Sequence, residues 1–304
     1  MDKRAPWIIT LLLITALNAT QAFGGNSFKI ITSFSVIEDL VERVAGSDIT
    51  ITNLIPPEED VHRWELTPPN VLAIEEADII FYNGFGLEPW MRHVEAMAHD
   101  NLTLTAIAEN ADYAPLPLTM GQFKGSTNPH MWMDPKGAAA YIDVIAQTLS
   151  DHYPEHAEAF NARAKDAHEA LAQLDQQLLE RLQGIPQTNR QLVTSEAGMH
   201  YFARAYGFEY DAIWGVNHET FGSAQAMAAM SRRLVEKRPQ ALFYESTVPC
   251  IHMDALAREI NVSLKGPLYV DTLGASDSPA YNYPAMLRQN VEQLHEGLGG
   301  ARPE

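Results

Sequence analysis

The chain contains one cysteine, Cys250, among 304 residues, so it can close no disulfide within itself and cannot assemble a structural zinc site from thiolates. Any metal site must therefore rest mainly on nitrogen and oxygen. Positive charge is also scarce: 21 Lys and Arg face 39 Asp and Glu, a formal net charge of -18. That balance speaks against a nucleic-acid partner, whose phosphates need cationic side chains. It suits cationic ligands, although an acidic surface also keeps an exported protein soluble whatever it binds. Long apolar runs are missing too. The apolar run at residues 7–17 falls short of the roughly twenty residues a membrane-spanning helix needs, and no other stretch approaches that length. No His-Glu-x-x-His helix and no nucleophile elbow is present, which removes the usual marks of a secreted metallohydrolase.

What is present begins with Lys3 and Arg4, the apolar run and the small-residue stretch Ala19-Thr20-Gln21-Ala22. This reads as a secretory signal cleaved after Ala22, so the expectation is a periplasmic protein. The signal has no cysteine at its cleavage site, which speaks against a lipid anchor. A composition of 46% hydrophobic and 20% charged residues belongs to a globular protein, and the length suggests about two domains. From residue 28 short β-rich runs alternate with amphipathic segments (28–32, 36–44, 49–55, 69–76, 78–82, 89–98, 102–107), the pattern of a parallel sheet flanked by helices. A Pro- and Gly-rich loop at 113–129 follows, and Asp134-Pro135 opens a helix through 149. Between Pro154 and Gly184 there is neither Pro nor Gly, and Phe160, Ala164, Ala167, Leu171, Leu174, Leu178 and Leu182 recur at steps of three and four. The spacing predicts one long helix of about 45 Å at about 1.5 Å per residue. Alternation resumes from residue 191. The expected architecture is α/β: a signal at 1–22, an N-terminal lobe at 23–150, a rigid bridging helix at 151–185 and a C-terminal lobe at 186–304. A monomer is expected.

Ligands of open α/β sheets gather beyond the carboxyl ends of strands. Four segments place a metal-competent side chain near such a junction: His62 after the strand ending at Ile55, His130 ahead of the helix near Lys136, Glu196 after Thr194, and Asp271 after Tyr269-Val270. Taken singly each is ambiguous. A histidine beside prolines is commonly a hydrogen-bonded loop residue, and a carboxylate at a strand end commonly caps the next helix.

The segments together resemble a known family. Asp60-Val61-His62-Arg63-Trp64-Glu65-Leu66-Thr67-Pro68 is similar to the first ligand motif of the metal-specific solute-binding proteins of zinc and manganese ABC importers, which usually reads Asp-Pro-His-x-Tyr-Glu-Pro-Thr-Pro. The runs 77–84 and 87–90, the block 128–135, Val193-Thr194-Ser195-Glu196 with Tyr201-Phe202-Ala203, and 268–274 match in the same order, so the resemblance spans essentially the whole mature chain. It implies two lobes joined by a rigid helix, a divalent ion held between them by His62, His130, Glu196 and Asp271, and delivery to an importer permease without catalysis.

Val61 and Leu66 depart from prolines common in the first motif but leave His62 in place. Glu196 stands where zinc-type members usually carry His, which resembles the manganese and iron branch. A second carboxylate hardens the site and balances a divalent charge, so Mn(II) or Fe(II) is favoured and Zn(II) remains able to bind. The stretch 111–129 has no histidine, unlike the His-rich loop frequent in zinc-type relatives. His200, four residues after Glu196, is an alternative third ligand if a helix begins there. His152, His156, His168, His218 and His252 are expected to be solvated, and Trp64, Trp90, Trp132 and Trp214 to pack around the cleft and keep it dry. Two other readings stay open: a secreted metallohydrolase, and a zinc metallochaperone or adhesin on the same fold.

Overall fold

Five consecutive buried residues, Ile30–Phe34, open the structure as strand β1, and helix α1, Ser35–Ala45, follows without a loop. A computed structural model describes residues 28–299 apart from 48 and 218–222; the expected signal and His218 lie outside the described residues. Strand β2 (Ile51–Ile55), helix α2 (Pro68–Glu75), strand β3 (Ile79–Tyr82), helix α3 (Met91–Met97), strand β4 (Thr103–Ala106) and the short helix α4 (Ile107–Asn110) complete the first βα series. All pairs are parallel in the order β2-β1-β3-β4, with Ile30 opposite both Ile51 and Ile79. β1 lies inside this sheet and is buried throughout, Thr32 and Ser33 included, while β3 reads as an unbroken apolar run rather than an alternating one.

Helix α5 spans Pro135–His152, three residues beyond the expected end. Pro135 supplies a preset φ at its first position, and Asp134 accepts the Lys136 N–H at 2.9 Å as cap. Helix α6, Ala157–Leu182, is the expected bridge. Its 26 residues extend about 39 Å, shorter than expected because Pro154–His156 forms a separate 3-10 turn. The seven apolar residues singled out by their spacing are its seven buried ones.

Beyond α6 the second lobe contains strand β5 (Gln191–Glu196), helix α7 (His200–Tyr206), strand β6 (Glu209–Trp214), helix α8 (Ala224–Lys237), strand β7 (Ala241–Glu245), helix α9 (Ile251–Ile260), strand β8 (Ser263–Leu268) and helix α10 (Tyr283–Leu298). β5 pairs with β6 and β7 with β8, both parallel, and β5 runs beside β7. β8 is longer than the two residues expected, because Lys265 and Leu268 also pair with β7.

Helix α6 is fastened to both lobes. Near its start Arg163 donates to the Val44 and Ala45 carbonyls at 2.6 and 2.8 Å, satisfying the C-terminal end of α1. Near its end Arg181 makes a two-point contact with Glu292 of α10, both at 2.8 Å. Between these ends Leu171, Leu174 and Leu178 are at most 3% exposed and share one apolar core with α1, α5 and α10. Burying each such side chain is worth about 1.5–3 kcal/mol. Among the described residues no helix is long and apolar enough to cross a membrane.

Candidate metal centre

Each candidate ligand sits on a local structure that its own neighbours dictate. His62 lies in the 3-10 turn Val61–Arg63, capped by Asp60, whose Oδ1 accepts the His62 N–H at 2.9 Å. His130 precedes the turn Met131–Met133; its Nδ1 faces Asn128 Oδ1 at 2.8 Å. The same oxygen accepts the His130 backbone N–H, and Asn128 Nδ2 donates to the Ala197 carbonyl. Oδ1 is thus the acceptor, Nδ1 carries the proton, and the Nε2 lone pair is left facing the cleft. Glu196 ends β5, and Asp271 follows β8 by three residues.

These four side chains meet. Their ligand atoms all lie within 4.8 Å of one another, and every one of the four side chains is fully buried. His62 Nε2 is 3.1 Å from Glu196 Oε1 and 3.5 Å from Asp271 Oδ2; His130 Nε2 is 3.2 Å from Asp271 Oδ1 and 3.7 Å from Glu196 Oε1. Adjacent donors around an ion at about 2.1 Å are separated by about 3 Å, which is the spacing found. All four close approaches pair a histidine of the first lobe with a carboxylate of the second, so the centre is the interface itself. Gly198 permits this closeness: a Cβ there would stand 2.5 Å from Val270 Cγ1 and 3.5 Å from the His130 ring.

The electrostatics fit a cation. Burial alone would lower His62, but the Glu196 and Asp271 carboxylates raise it well above the ordinary imidazole value. Burial lowers His130, which the adjacent Asp271 only partly offsets. Burial together with the Asp271 charge pushes Glu196 well up, whereas Asp271, although burial opposes its ionisation, is held far below the usual range by the two histidines. His130 Nε2, Glu196 Oε2 and Asp271 Oδ1 are buried without a hydrogen bond. Such atoms cost about 1–3 kcal/mol each, which coordination of an ion would offset.

His200 begins α7 and does not join the cluster; its half-buried ring stacks on Tyr210 at 5.3 Å and 15°. Of the other histidines, His168 pairs with Asp143 at 2.7 Å, His152 approaches Thr103, His156 meets Phe28 and Phe160 edge-on, and His252 meets Trp214 edge-on. Three tryptophans do more than exclude water. Trp90 Nε1 donates to the Val61 carbonyl beside His62, Trp132 Nε1 to the Val270 carbonyl beside Asp271, and Trp214 Nε1 to Asn217 Oδ1. Sequence reasoning missed several surrounding residues. Asn217 donates its N–H to Glu196 Oε1 at 2.8 Å and its amide to Asp271 Oδ2 at 3.2 Å. Glu245 accepts the Ser195 and Glu196 N–H groups, and Asn83 donates to the Pro129 carbonyl ahead of His130. A carboxylate closing the apolar run of β7 was a readable signal for Glu245; Asn217 carried none.

Fold and site define a class: an α/β solute-binding protein with a buried set of two imidazoles and two carboxylates between its lobes. The family model described as ZnuA, zinc-uptake complex component A, periplasmic, matches residues 30–297. The iron-binding protein YfeA of Yersinia pestis is 31% identical over 303 residues, covering 97% of this chain and 96% of YfeA. The manganese-binding lipoprotein MntA of Halalkalibacterium halodurans is 30% identical over 295 residues, covering 96% of each chain. The Mn-bound periplasmic metal-binding protein of Candidatus Liberibacter asiaticus is similar with a TM-score of 0.80 at 26% identity, over 88% of this chain and 98% of that one. The periplasmic zinc-binding protein TroA of Treponema pallidum is similar with a TM-score of 0.80 at 26% identity, over 90% and 99%. The chain belongs to the ZnuA family of extracytoplasmic metal-binding, substrate-binding proteins, which are not enzymes.

Proposed function

We propose that the protein captures one divalent transition-metal ion in the periplasm and passes it to the permease of an ABC importer, with His62, His130, Glu196 and Asp271 as ligands. The observation that carries the reading is the meeting of these four buried side chains within 4.8 Å. Two neutral imidazoles and two carboxylates cancel a divalent charge, and the second carboxylate favours Mn(II) or Fe(II) over Zn(II). Relatives are named for iron and for manganese, and a structural neighbour for zinc, so the donor set of this chain decides the preference. In this reading residues 1–22 direct export, 23–150 and 186–304 form the lobes, 151–185 bridges them, and the chain acts as a monomer. A hydrolytic role is disfavoured by the family and by the use of all four groups as ligands.

Elemental analysis of protein purified from the periplasm without added metal, followed by competition among Mn(II), Fe(II) and Zn(II), tests this directly. One ion per chain with Mn(II) or Fe(II) retained is expected. Zinc held by a wide margin, with Glu196→Ala harmless and His200→Ala damaging, would overturn both the cargo and the third ligand. Metal uptake by cells that lack this chain but keep the permease separates an importer from a metallochaperone or adhesin, since only an importer component is needed for uptake.

A further inference from the structure

Asn217 reaches both carboxylates without being a proposed ligand: its backbone N–H binds Glu196 Oε1 and its buried side-chain amide binds Asp271 Oδ2. Its amide orientation is fixed by chemistry: Trp214 Nε1 is only a donor, so the oxygen of Asn217 at 3.1 Å must face it and the NH2 group must face Asp271 Oδ2. The Asn217 backbone N–H binds Glu196 Oε1, and the Asn217 carbonyl accepts from Arg63 Nε at 3.2 Å, beside His62. One residue thus contacts the segments of three proposed ligands, across both lobes.

The consequence lies in how Asp271 is presented. With Oδ2 held by Asn217, its carboxylate plane turns both oxygens toward the centre: Oδ1 stands 3.2 Å from His130 Nε2 and Oδ2 stands 3.5 Å from His62 Nε2. A carboxylate that offers both oxygens can chelate, which raises the coordination number above four. Mn(II) and Fe(II) accept that expansion, whereas Zn(II) is satisfied by four ligands.

We propose that Asn217 is a specificity-determining residue that holds Asp271 in a chelating pose and thereby shifts the site from Zn(II) toward Mn(II) or Fe(II). The proposal rests on the ligand assignment above. Removing the amide lets Asp271 rotate to single-oxygen binding, which penalises Mn(II) and leaves Zn(II) nearly untouched. Trp214→Phe keeps the ring but frees the Asn217 amide to flip, so it acts in the same direction and more weakly.

Dissociation constants of the whole mature protein for Mn(II) and Zn(II) are compared in wild type, Asn217→Ala and Trp214→Phe, with thermal unfolding of each. The expected result is a rise of about tenfold or more in the ratio Kd(Mn)/Kd(Zn) for Asn217→Ala and a smaller rise for Trp214→Phe. Co(II) as a probe adds a signature of coordination number: weak visible absorption in wild type, and the stronger absorption of four-coordinate Co(II) in Asn217→Ala. Equal weakening for both metals, or an unchanged ratio with an unchanged Co(II) spectrum, overturns the proposal and leaves Asn217 a structural residue. Should Asn217→Ala fail to fold, the ratio in Trp214→Phe decides alone. Failure of the underlying assignment looks different: Asp271→Ala would then keep wild-type affinity for every metal.

Discussion

Glu196 and His200 sit four residues apart, yet their surroundings give them opposite roles. Glu196 is wholly buried, with one oxygen bound by Asn217 and 3.1 Å from His62, while His200 stacks on Tyr210 away from the cluster. Glu196→Ala should therefore weaken metal binding by at least about a hundredfold, and His200→Ala by less than about threefold, as measured by competition with a fluorescent chelator. The reverse order of effects would sink the assignment. Glu88 carries a different consequence. It is 4% exposed and accepts from Ser33 Oγ and the Asn83 and Gly84 N–H groups, but burial outweighs these donors and lifts its carboxyl from the ordinary 4.5 to about 7. Between those two values the folded chain holds a proton that the unfolded chain has lost, so stability falls as pH rises through this window. The loss reaches on the order of 3 kcal/mol above pH 7. Urea unfolding at pH 5 and pH 8 should show this decline in wild type and a flatter response in Glu88→Gln; identical declines in both proteins would assign the pH dependence elsewhere.

At the scale of elements, the existence and buried face of α6 were legible because a helix that buries one face writes its period of three and four into the sequence, from Phe160 to Leu182. The strands were legible as short β-rich runs, and the segments after β2, at the end of β5 and after β8, with the approach to α5, marked where His62, Glu196, Asp271 and His130 are brought together. Less legible were the ends of elements: Pro154 started a separate 3-10 turn rather than α6, and β8 ran past Gly266-Pro267 to Leu268. Asn217 was illegible for a stronger reason. Its partners lie 21 and 54 residues away, and a single Asn after a strand has no periodic or motif context to announce a tertiary contact. The tryptophans were recognised as cleft residues, but their donation to Val61, Val270 and Asn217 depends on ring orientations that only the folded chain defines. The fastening of α6 to both lobes leads to a direct expectation. Leu174 is 1% exposed in the middle of that helix, so Leu174→Ala should lower stability by about 2–5 kcal/mol in urea unfolding. An unchanged midpoint would mean that α6 does not share the core of the two lobes.

For the molecule as a whole, capture has to compete with protons. In the folded chain the Glu196 and Asp271 carboxylates raise His62 against the effect of burial, and burial with the Asp271 charge raises Glu196. Both groups therefore hold protons at higher pH than isolated side chains do. An incoming ion needs the imidazole lone pair and the carboxylate charge, so binding must expel those protons. Where the pH lies below the raised values, each displaced proton makes affinity rise about tenfold per pH unit; above them the dependence vanishes. The net charge of -18, counted with the eleven histidines neutral, adds a long-range attraction for cations that salt screens, so repeating the measurement at high ionic strength separates it from the proton effect at the site. Mn(II) affinity should accordingly increase steadily from pH 6 to pH 8. Calorimetry in buffers of different ionisation enthalpy should report release of about one proton or more per ion near neutrality. Acidification should then free the metal, by returning protons to His62 and Glu196, the two groups raised in the folded chain. Flat affinity over that range, with no proton release, would show that the four side chains are not the groups that take up the ion.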